Sequence, residues 1–534
     1  MEEENKTAAD EIAARRTFAI ISHPDAGKTT LTEKLLLYSG MVRTAGMVRA
    51  RKGGKAASSD WMAMEQERGI SITASAMQFR YKDAVINVLD TPGHQDFSED
   101  TYRTLTAADC AIMVIDAAKG VETQTRKLFA VCRMRNIPIL TFINKMDLPA
   151  RDPLDLLQEV EEVLGIQSAP LNWPIGEGKS FRGVVEIESK NILLFEASKL
   201  RGAEKAELRR VALSSLAQSN ILEQDLKEKL ENDLELLSVA GNKFNKENFL
   251  LGKQSPVFFG SALTNFGVEP FFDHFVNLAP PPRAVKIIKD NGEEALLDPE
   301  HPAFSGFVFK IQANMNPKHR DSMAFIRICS GVFSRDMVVK NQRLKSEVRL
   351  ARSYSMLAKD RETIDNAYPG DVVGFTNPGA FQIGDTIASE YGFRFPDMPQ
   401  FAPEILAQIR PLDVMKRKAF DKGLTQLSNE GAIQILKSYD NPAALPMVAA
   451  VGRLQFDVLQ YRIEDEYGVK THLDLLPYTV CLYIIGDPKT IKKTQSAAVA
   501  VDLKNRPLIL LTGEWEKKYI AEQNPEHKFL MFLQ

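Results

Sequence analysis

Residues 22–30 form a loop of mostly small residues that ends in a lysine and two threonines. An apolar run precedes the loop and helical periodicity follows it, which is the context of a phosphate-binding loop. Backbone N–H groups and the helix N-terminus would surround the phosphates, with the Lys28 ammonium on the outer phosphates and the Thr29 hydroxyl on Mg²⁺. The usual first residue is Gly or Ala, but Ser22 is still small enough for the turn. The alternative is an accidental Gly-Lys-Thr at a helix start. The predicted nucleotide-binding residues are Ser22, His23, Pro24, Asp25, Ala26, Gly27, Lys28, Thr29 and Thr30.

A second candidate follows the apolar run 84–89, where the chain reads Asp90-Thr91-Pro92-Gly93-His94. An acid at this point can hold the metal through a water, as the aspartate after the corresponding strand does in P-loop enzymes. Gly93 can bring its N–H against a γ-phosphate because it has no Cβ in the way. An ordinary turn at a strand end is the alternative, since Asp, Pro and Gly all favour turns. With the loop some 60 residues upstream, a metal-phosphate site is the better interpretation.

A third motif predicts which nucleotide base is bound. It reads Asn144-Lys145-Met146-Asp147 and lies at the end of another apolar run. A carboxylate at Asp147 accepts two N–H bonds from the edge of guanine, whereas adenine offers no such pair of donors. A site built on these bonds rejects the wrong base because its buried polar groups would be left unpaired. Residues 260–263 (Gly-Ser-Ala-Leu) follow a strand-like run and can supply an N–H to the guanine carbonyl. GTP or GDP is therefore the predicted ligand, bound further by Asn144, Lys145, Ser261, Ala262 and Leu263.

A switch segment is predicted at 67–73 (Glu-Arg-Gly-Ile-Ser-Ile-Thr), between the phosphate loop and Asp90. A hydroxyl there can complete the Mg²⁺ shell only while the γ-phosphate is present, so hydrolysis releases the segment. The alternative is the polar start of an ordinary strand.

The elements that must position these residues are short apolar strands alternating with helices. Runs at 17–22, 84–89, 110–115 and 138–143 predict parallel strands buried on both faces, and 29–39 and 123–135 predict helices between them. Farther on, 152–164 and 203–239 predict helices and 173–196 predicts strands.

Three domains are expected from 534 residues, because a chain of this length exceeds one core. Residues 1–280 are predicted to form a P-loop α/β domain with an insert at about 150–255. A proline-rich linker at 278–283 then leads to alternating runs typical of an antiparallel barrel or sandwich, which we assign as a β-barrel at 281–396. A hinge at 395–403 precedes an α+β domain at 397–534. The predicted fold class is multidomain α/β.

Composition limits the environment and the partners. No run approaches the roughly 18 apolar residues that span a bilayer, and residues 1–16 do not form a secretory signal. We expect a cytoplasmic protein without a membrane partner. The four cysteines lie far apart, so we expect neither a disulfide nor a zinc site. The segment 41–60 carries five Lys or Arg residues and is equally open to two interpretations, an RNA-contacting arm or a solvated loop.

In motif content and order, the sequence resembles the translational GTPases. The resemblance rests on Asp-Ala-Gly-Lys-Thr-Thr at 25–30, Arg-Gly-Ile at 68–70, and the motifs that begin at Asp90 and Asn144. It implies that His94 orients the attacking water, Lys28 neutralises charge, and Thr29, Ser71 and Asp90 hold Mg²⁺. Ser71 stands where a threonine is usual, which keeps the hydroxyl and loses the methyl. Pro24 and Ile70 match an apolar gate around that histidine, and Asp25 matches a monovalent-cation position.

Within that family, segments outside the GTP site resemble the bacterial class-II release factors. They include Trp-Pro-Ile-Gly at 173–176, Ala-Tyr-Pro-Gly-Asp at 367–371, Gln-Leu-Ser-Asn-Glu-Gly-Ala at 426–432 and Gly-Arg-Leu-Gln-Phe-Asp-Val at 452–458. The implied role is a ribosome-stimulated GTPase that promotes departure of the class-I peptide chain release factor after peptide release. Its implied partners are ribosomal RNA and proteins and that factor, and a monomer is expected in solution. Two alternatives are an elongation or translocation GTPase and a nucleotide-dependent ribosome-binding scaffold with little turnover.

Overall fold

The structure is a computed structural model that describes residues 6–41, 75–92, 96, 98–196, 204–218, 222–313, 322–357, 360–377, 379–441 and 445–533. Three predicted site residues, Ser71, Gly93 and His94, lie outside these residues. The same is true of the switch segment 67–73, of nearly all of the basic segment 41–60 and of residues 314–321.

The helices of the described chain alternate with strands in the first half and recur in the last domain. They are α1 Ala8–Ala14, α2 Lys28–Tyr38, α3 Ser98–Thr106, α4 Thr123–Met134, α5 Pro153–Leu164, α6 Gln224–Ala240, α7 Lys246–Leu250, α8 Val268–Leu278, α9 Arg417–Asn429, α10 Arg453–Tyr467 and α11 Glu514–Gln523.

The first domain is built on a seven-stranded sheet in the order β2-β3-β1-β4-β5-β11-β6. All neighbours are parallel except β2 and β3. The strands are β1 Arg15–Ser22, β2 Ser75–Tyr81, β3 Ala84–Asp90, β4 Cys110–Asp116, β5 Ile139–Asn144, β6 Gln167–Pro170 and β11 Gln254–Phe259. The four strands predicted from apolar runs are confirmed, each with slightly different ends.

Successive residues of each central strand are buried in different cores. Along β1, Ala19 and Ile21 join a core with α3, α4 and α5, whereas Phe18 and Ile20 join a core with α2 and α8. Because side chains alternate across a strand, a sheet covered on both faces needs apolar residues at every position, which is why these strands read as continuous apolar runs.

The stretch 150–255 contains both an edge of the main sheet and a separate sheet. Helix α5 and strand β6 belong to the main unit, because β6 pairs with β11. A four-stranded antiparallel sheet follows in the order β10-β9-β8-β7. Its strands are β7 Asn172–Ile175, β8 Gly183–Glu186, β9 Asn191–Glu196 and β10 Glu207–Ala212.

The prediction of one helix over 203–239 is wrong in its first part. Residues 207–212 pair with β9 along its full length, and the helix begins only at Gln224. The exposed strand gains backbone hydrogen bonds from its neighbour, and that tertiary pairing overrides the local spacing of Leu and Val.

The middle domain is an antiparallel β-barrel domain. An eight-stranded sheet runs in the order β18-β17-β23-β14-β15-β22-β19-β20, with smaller sheets β13-β12-β24 and β16-β21. The strands are β12 Val285–Lys289, β13 Glu294–Leu297, β14 Ser305–Ala313, β15 Ser322–Ser330, β16 Phe333–Ser334, β17 Val338–Asn341, β18 Ser346–Arg349, β19 Ser353–Leu357, β20 Asp360–Thr363, β21 Asn366–Ala367, β22 Val372–Asn377, β23 Thr386–Ala388 and β24 Phe393–Arg394.

The last domain is α+β, with an eight-stranded antiparallel sheet in the order β29-β26-β28-β27-β31-β32-β30-β33. A short pair, β25 with β34, joins the beginning of the domain to its end. The strands are β25 Gln400–Phe401, β26 Ile405–Pro411, β27 Gln434–Ser438, β28 Met447–Ala450, β29 Thr471–Leu475, β30 Val480–Ile485, β31 Ala498–Asp502, β32 Pro507–Leu511, β33 Lys528–Leu530 and β34 Phe532–Leu533.

Candidate nucleotide site

The loop after β1 has the backbone of a phosphate cradle. Asp25 and Gly27 both adopt positive φ, 65° and 102°, and Gly27 is the N-cap of α2. No side chain among the described residues caps the helix at this position, so its first N–H groups can bind an anion. A Cβ at Gly27 would overlap the Asn144 amide nitrogen. Glycine is therefore required both by the conformation and by the close approach of a second motif.

Lys28 and Asp90, predicted from separate motifs, form a buried ion pair. The Lys28 Nζ lies 2.6 Å from Asp90 Oδ1, and their side chains are 6% and 3% exposed. The ammonium also donates to the Thr91 carbonyl oxygen. The Thr91 hydroxyl in turn donates to the Ile20 carbonyl oxygen at 2.7 Å. The carboxyl ends of β1 and β3 lie at the same edge of the sheet because the two strands are parallel. These hydrogen bonds hold the two ends together.

Asn144 connects three of the predicted segments. Its Nδ2 donates to the Ala26 carbonyl oxygen in the phosphate loop at 2.8 Å, and its Oδ1 accepts from the Ala262 N–H at 2.8 Å. The Met146 N–H donates to the Gly260 carbonyl oxygen at 3.2 Å. One buried amide therefore fixes the phosphate loop, the segment after β5 and the segment after β11 relative to one another.

Lys145 adopts a positive φ of 72° and pairs with Asp116, a residue that the sequence analysis missed. The Lys145 Nζ lies 2.7 Å from Asp116 Oδ2. Burial alone would raise the pKa of Asp116, but the hydrogen bonds from Lys145 and from the Ala118 N–H lower the pKa below its ordinary value. The signal that could have found it is its place as the final residue of the apolar run 110–116.

Several polar atoms at this edge are buried and have no hydrogen-bond partner among the described residues: Asp147 Oδ1, Ser22 Oγ, His23 Nδ1 and Glu122 Oε2. A buried acceptor without a donor is costly. The unpaired Asp147 carboxylate oxygen lies on the segment predicted to read guanine, so its environment fits a ligand that brings N–H donors.

His23 has a partner that the sequence analysis did not identify. Its Nε2 lies 3.2 Å from Glu122 Oε1, and Glu122 is the N-cap of α4. The pair links the phosphate loop to the loop after β4. The sequence contains no local sign of it, because the two residues are about a hundred positions apart.

The remaining predicted residues line the same edge with different exposure. Thr29 and Thr30 are partly exposed on the first turn of α2, whereas Ala26, Ser261 and Ala262 are buried. Leu263 is 57% exposed. Pro24 is partly buried and Asp25 is exposed. Gly27, Asp90 and the Asn144–Asp147 segment thus meet at the carboxyl ends of parallel strands, where α/β sheets bind ligands.

Three family models match consecutive parts of the chain. The model described as "Elongation factor Tu GTP binding domain" matches residues 13–281, "Elongation factor G domain 2" matches 303–390, and "Class II release factor RF3, C-terminal domain" matches 395–521.

Curated relatives align over nearly the full length. Proteins named peptide chain release factor 3 from Trichormus variabilis and Symbiobacterium thermophilum are each 51% identical over 520 residues. The alignments cover 97% of this chain and 95% and 97% of the relatives. A solved protein from Thermus thermophilus has a TM-score of 0.68 at 20% identity, covering 92% of this chain and 72% of that one. That likeness shows the fold alone.

None of the helices in the described residues combines the length and apolar content needed to cross a membrane.

Proposed function

The chain belongs to the peptide chain release factor 3 family of translational GTPases, with a GTPase role in translation termination, and from this premise we propose that it is a ribosome-stimulated, Mg²⁺-dependent enzyme. It hydrolyses GTP to GDP and phosphate and promotes dissociation of the class-I release factor after peptide release. The proposed setting is the cytoplasm, with the ribosome as partner and a monomer in solution.

The observation that carries the proposal is the connection made by Asn144. This side chain contacts the phosphate loop at Ala26 and the loop at Ala262, and Lys28 joins the same assembly to Asp90. The described residues proposed to bind a triphosphate, a metal and a guanine therefore lie at one edge of the sheet.

The roles of the chain's own residues follow from this arrangement. Lys28 and the loop amides would neutralise phosphate charge, and Asp147 would accept the guanine N–H groups. Thr29, Ser71 and Asp90 would hold Mg²⁺, which supplies further positive charge. His94 would orient the water that attacks the γ-phosphate, with the bridging oxygen leaving on GDP. The buried Asp90 carboxylate is paired with Lys28. If Lys28 turned to the phosphates, Asp90 would need another positive charge nearby, which a metal would supply.

Phosphate release measured with and without ribosomes tests the enzymatic part. We expect slow turnover alone and an increase of roughly 100-fold or more with ribosomes, the scale of a correctly oriented catalytic group. The His94→Ala variant should bind GTP normally and lose the stimulation. Negligible turnover of the wild-type chain under both conditions would instead identify a nucleotide-dependent scaffold.

A termination assay tests the biological part. Ribosomes stalled at a stop codon with a fluorescent class-I factor are supplied with the chain and GTP, GDP or no nucleotide, after peptide release. Faster departure of the labelled factor is expected when the chain and GTP are both present. If departure were unchanged while GTP hydrolysis was stimulated, another ribosomal GTPase role would be favoured.

A further inference from the structure

The phosphate loop is held at two points by side chains from other loops. At its carboxyl end, the Ala26 carbonyl oxygen accepts from Asn144 Nδ2 at 2.8 Å. At its amino end, His23 Nε2 lies 3.2 Å from Glu122 Oε1. Between these points the loop turns, and the Ala26 N–H donates to the His23 carbonyl oxygen at 3.3 Å. Both contacts therefore act on the loop whose N–H groups would surround the phosphates.

The His23 ring uses one of its two nitrogens for this contact. Because an ionised carboxylate only accepts hydrogen bonds, Nε2 is the atom that carries the proton. The other nitrogen, Nδ1, is buried and has no hydrogen-bond partner among the described residues. The side chains of His23 and Glu122 are 30% and 22% exposed, so the surrounding protein excludes much of the water that would compete for the bond.

Glu122 is free to serve His23 because it does not cap its own helix. It is the N-cap of α4, yet its side chain forms no capping hydrogen bond within the described chain. Its Oε1 atom lies 3.9 Å from the Nζ of Lys119, a side chain that is 49% exposed, and such a surface pair contributes little. Replacing Glu122 should therefore disturb His23 more than it disturbs α4.

The loop after β4, which carries this glutamate, is also bound to the segment that is proposed to read the base. Its first residue, Asp116, lies 2.7 Å from Lys145 Nζ. The Ala117 N–H donates to the Asn144 carbonyl oxygen at 2.9 Å. The phosphate loop, the loop after β4 and the segment 144–145 therefore form a closed ring of contacts, in which each of the three touches the other two.

The phosphate loop needs this support because part of its backbone is unfavourable. Asp25 adopts a φ of 65°, a left-handed conformation that residues other than glycine rarely adopt. A residue keeps such a conformation only where the surrounding contacts hold it. His23 and Ala26 lie on either side of Asp25, so losing the contact at either one would let the loop leave the conformation that presents its N–H groups.

We propose that His23 is a positioning residue for the bound nucleotide and that it acts through Glu122. By holding the amino end of the phosphate loop, the pair raises the affinity for the phosphates of GDP and GTP alike. The preference for guanine does not depend on the pair, because the contacts of Asn144 and Lys145 remain without it. This inference rests on the nucleotide-binding part of the proposed function.

The first test compares three substitutions of His23. His23→Ala removes the donor, and we expect the affinity for labelled GDP to fall roughly tenfold, the lower end for a hydrogen bond to a charged group because the pair is partly exposed. His23→Gln places an amide N–H near the position of Nε2 and should recover most of the affinity. His23→Asn places its amide near the position of Nδ1, too far from Glu122, and should resemble His23→Ala. Equilibrium titration measures the affinity, and we expect the change mainly in the dissociation rate of GDP.

The second test uses Glu122→Ala and a matched control. Glu122→Ala should weaken GDP binding about as much as His23→Ala. The double variant should bind no more weakly than either single variant, because both substitutions remove the same bond. The control is His274→Ala, since His274 lies 3.8 Å from Glu186 Oε1 in the same domain but on α8, outside the ring of contacts. The control should bind GDP as the wild-type chain does.

Two further readouts separate positioning from a general loss of stability. In His23→Ala, the affinities for GDP and GTP should fall by the same factor, and the preference for GDP over inosine diphosphate, which lacks the 2-amino group, should stay the same. Hydrogen exchange of the Ala26 amide in the nucleotide-free chain should be faster in His23→Ala than in His23→Gln. Equal thermal midpoints of the His23 variants show that they fold.

The outcomes distinguish this inference from the proposed function. If the wild-type chain binds GDP and His23→Ala binds it equally well, the positioning role is refuted and the proposed function stands. If binding falls in His23→Ala while the wild-type chain shows neither stimulated hydrolysis nor faster factor departure, the proposed function fails and the positioning role is supported. Recovery by His23→Asn instead of His23→Gln, or multiplicative effects in the double variant, would contradict the inference. A wild-type chain that bound no guanine nucleotide would overturn both.

Discussion

Single side chains at the candidate nucleotide site hold the surrounding loops together. The Asn144 side-chain amide forms hydrogen bonds within the protein through both its nitrogen and its oxygen, to Ala26 and Ala262. Lys145 forms an ion pair with Asp116. The Asp147 Oδ1 atom, in contrast, is buried without a partner among the described residues. The first two residues therefore hold the neighbouring loops in place, and the proposal is that the third reads the base.

The base-reading role of Asp147 can be tested by Asp147→Asn. Replacing the carboxylate by an amide adds a donor, which matches the xanthine edge, where a carbonyl replaces the guanine amino group. We expect GTP affinity to fall by roughly 100-fold or more, as for a site with unpaired polar groups, and affinity for xanthosine triphosphate to rise. Equilibrium binding of both labelled nucleotides measures the change, and unaltered GTP affinity would contradict the assignment.

Acidic side chains fix the starts of individual helices through hydrogen bonds to nearby backbone N–H groups. Asp152 caps α5 from the preceding residue, accepting from the Leu154 N–H at 2.9 Å. For α11, Glu516 accepts from the Thr512 N–H at 2.7 Å and from the Ser496 hydroxyl at 2.7 Å, which ties the helix start to the loop before β31. Such bonds determine where a helix begins. Because their acceptors are carboxylates, the stability that they provide depends on pH.

Glu516 should make the C-terminal domain sensitive to acid. Burial alone would raise the pKa of Glu516, but hydrogen bonds, first among them that from Thr494, lower it to about 2. Because the folded pKa lies below the unfolded value of about 4.3, this stabilisation is complete above that pH and is lost as the pH falls toward 2. Glu516→Gln should therefore lower the thermal midpoint at pH 6 and differ less from wild type at pH 3. An equal difference at both pH values would contradict the assignment.

At the scale of the whole molecule, buried polar contacts join the first domain to the barrel. Asp371 Oδ1 lies 2.9 Å from Arg15 Nε, and the Thr17 hydroxyl donates to the Gly370 carbonyl oxygen at 2.6 Å. Asp109 pairs with Arg327 at 2.5 Å, with side chains 8% and 6% exposed. Burial raises the pKa of Asp109, and Arg327 opposes that rise. These contacts are specific to one relative placement of the domains.

Removing Arg327 should loosen this placement. Arg327→Met leaves the Asp109 carboxylate buried without its partner, and we expect a loss of about 3–5 kcal/mol in the free energy of unfolding. The exposed Arg335, paired with Asp365 at 3.3 Å, is the matched control, because breaking an exposed pair costs less than about 1 kcal/mol. The urea midpoint of the unfolding transition that includes the barrel measures the effect of breaking each of the two ion pairs. The double variant Asp109→Asn/Arg327→Met should recover part of the loss, and equal effects of Arg327→Met and the control would contradict the prediction.

Much of the fold, and the meeting of the described motifs at one edge of the sheet, was predictable because both depend on local chemistry. The buried strands read as continuous apolar runs, and the motifs at Gly27, Asp90 and Asn144 follow them directly, so parallel strands bring them to one edge. The order of motifs also indicated the family. The strand at 207–212 was mispredicted as helix. The exact domain boundaries and the roles of all the site residues, Ser71 and His94 among them, stay predictions.

The tertiary structure alone decided which distant residues meet. Arg15 and Asp371 are 356 positions apart, and Asp96 and Leu454 are 358 positions apart. Such contacts leave no periodicity in the sequence. A polar residue that is hydrogen-bonded to another domain has the same local sequence context as one that is exposed to water. The sequence determined the chemistry of each segment through its residue types and local spacing. Which segments share a surface was decided by the packing of three domains, since only packing removes water from both partners of a contact.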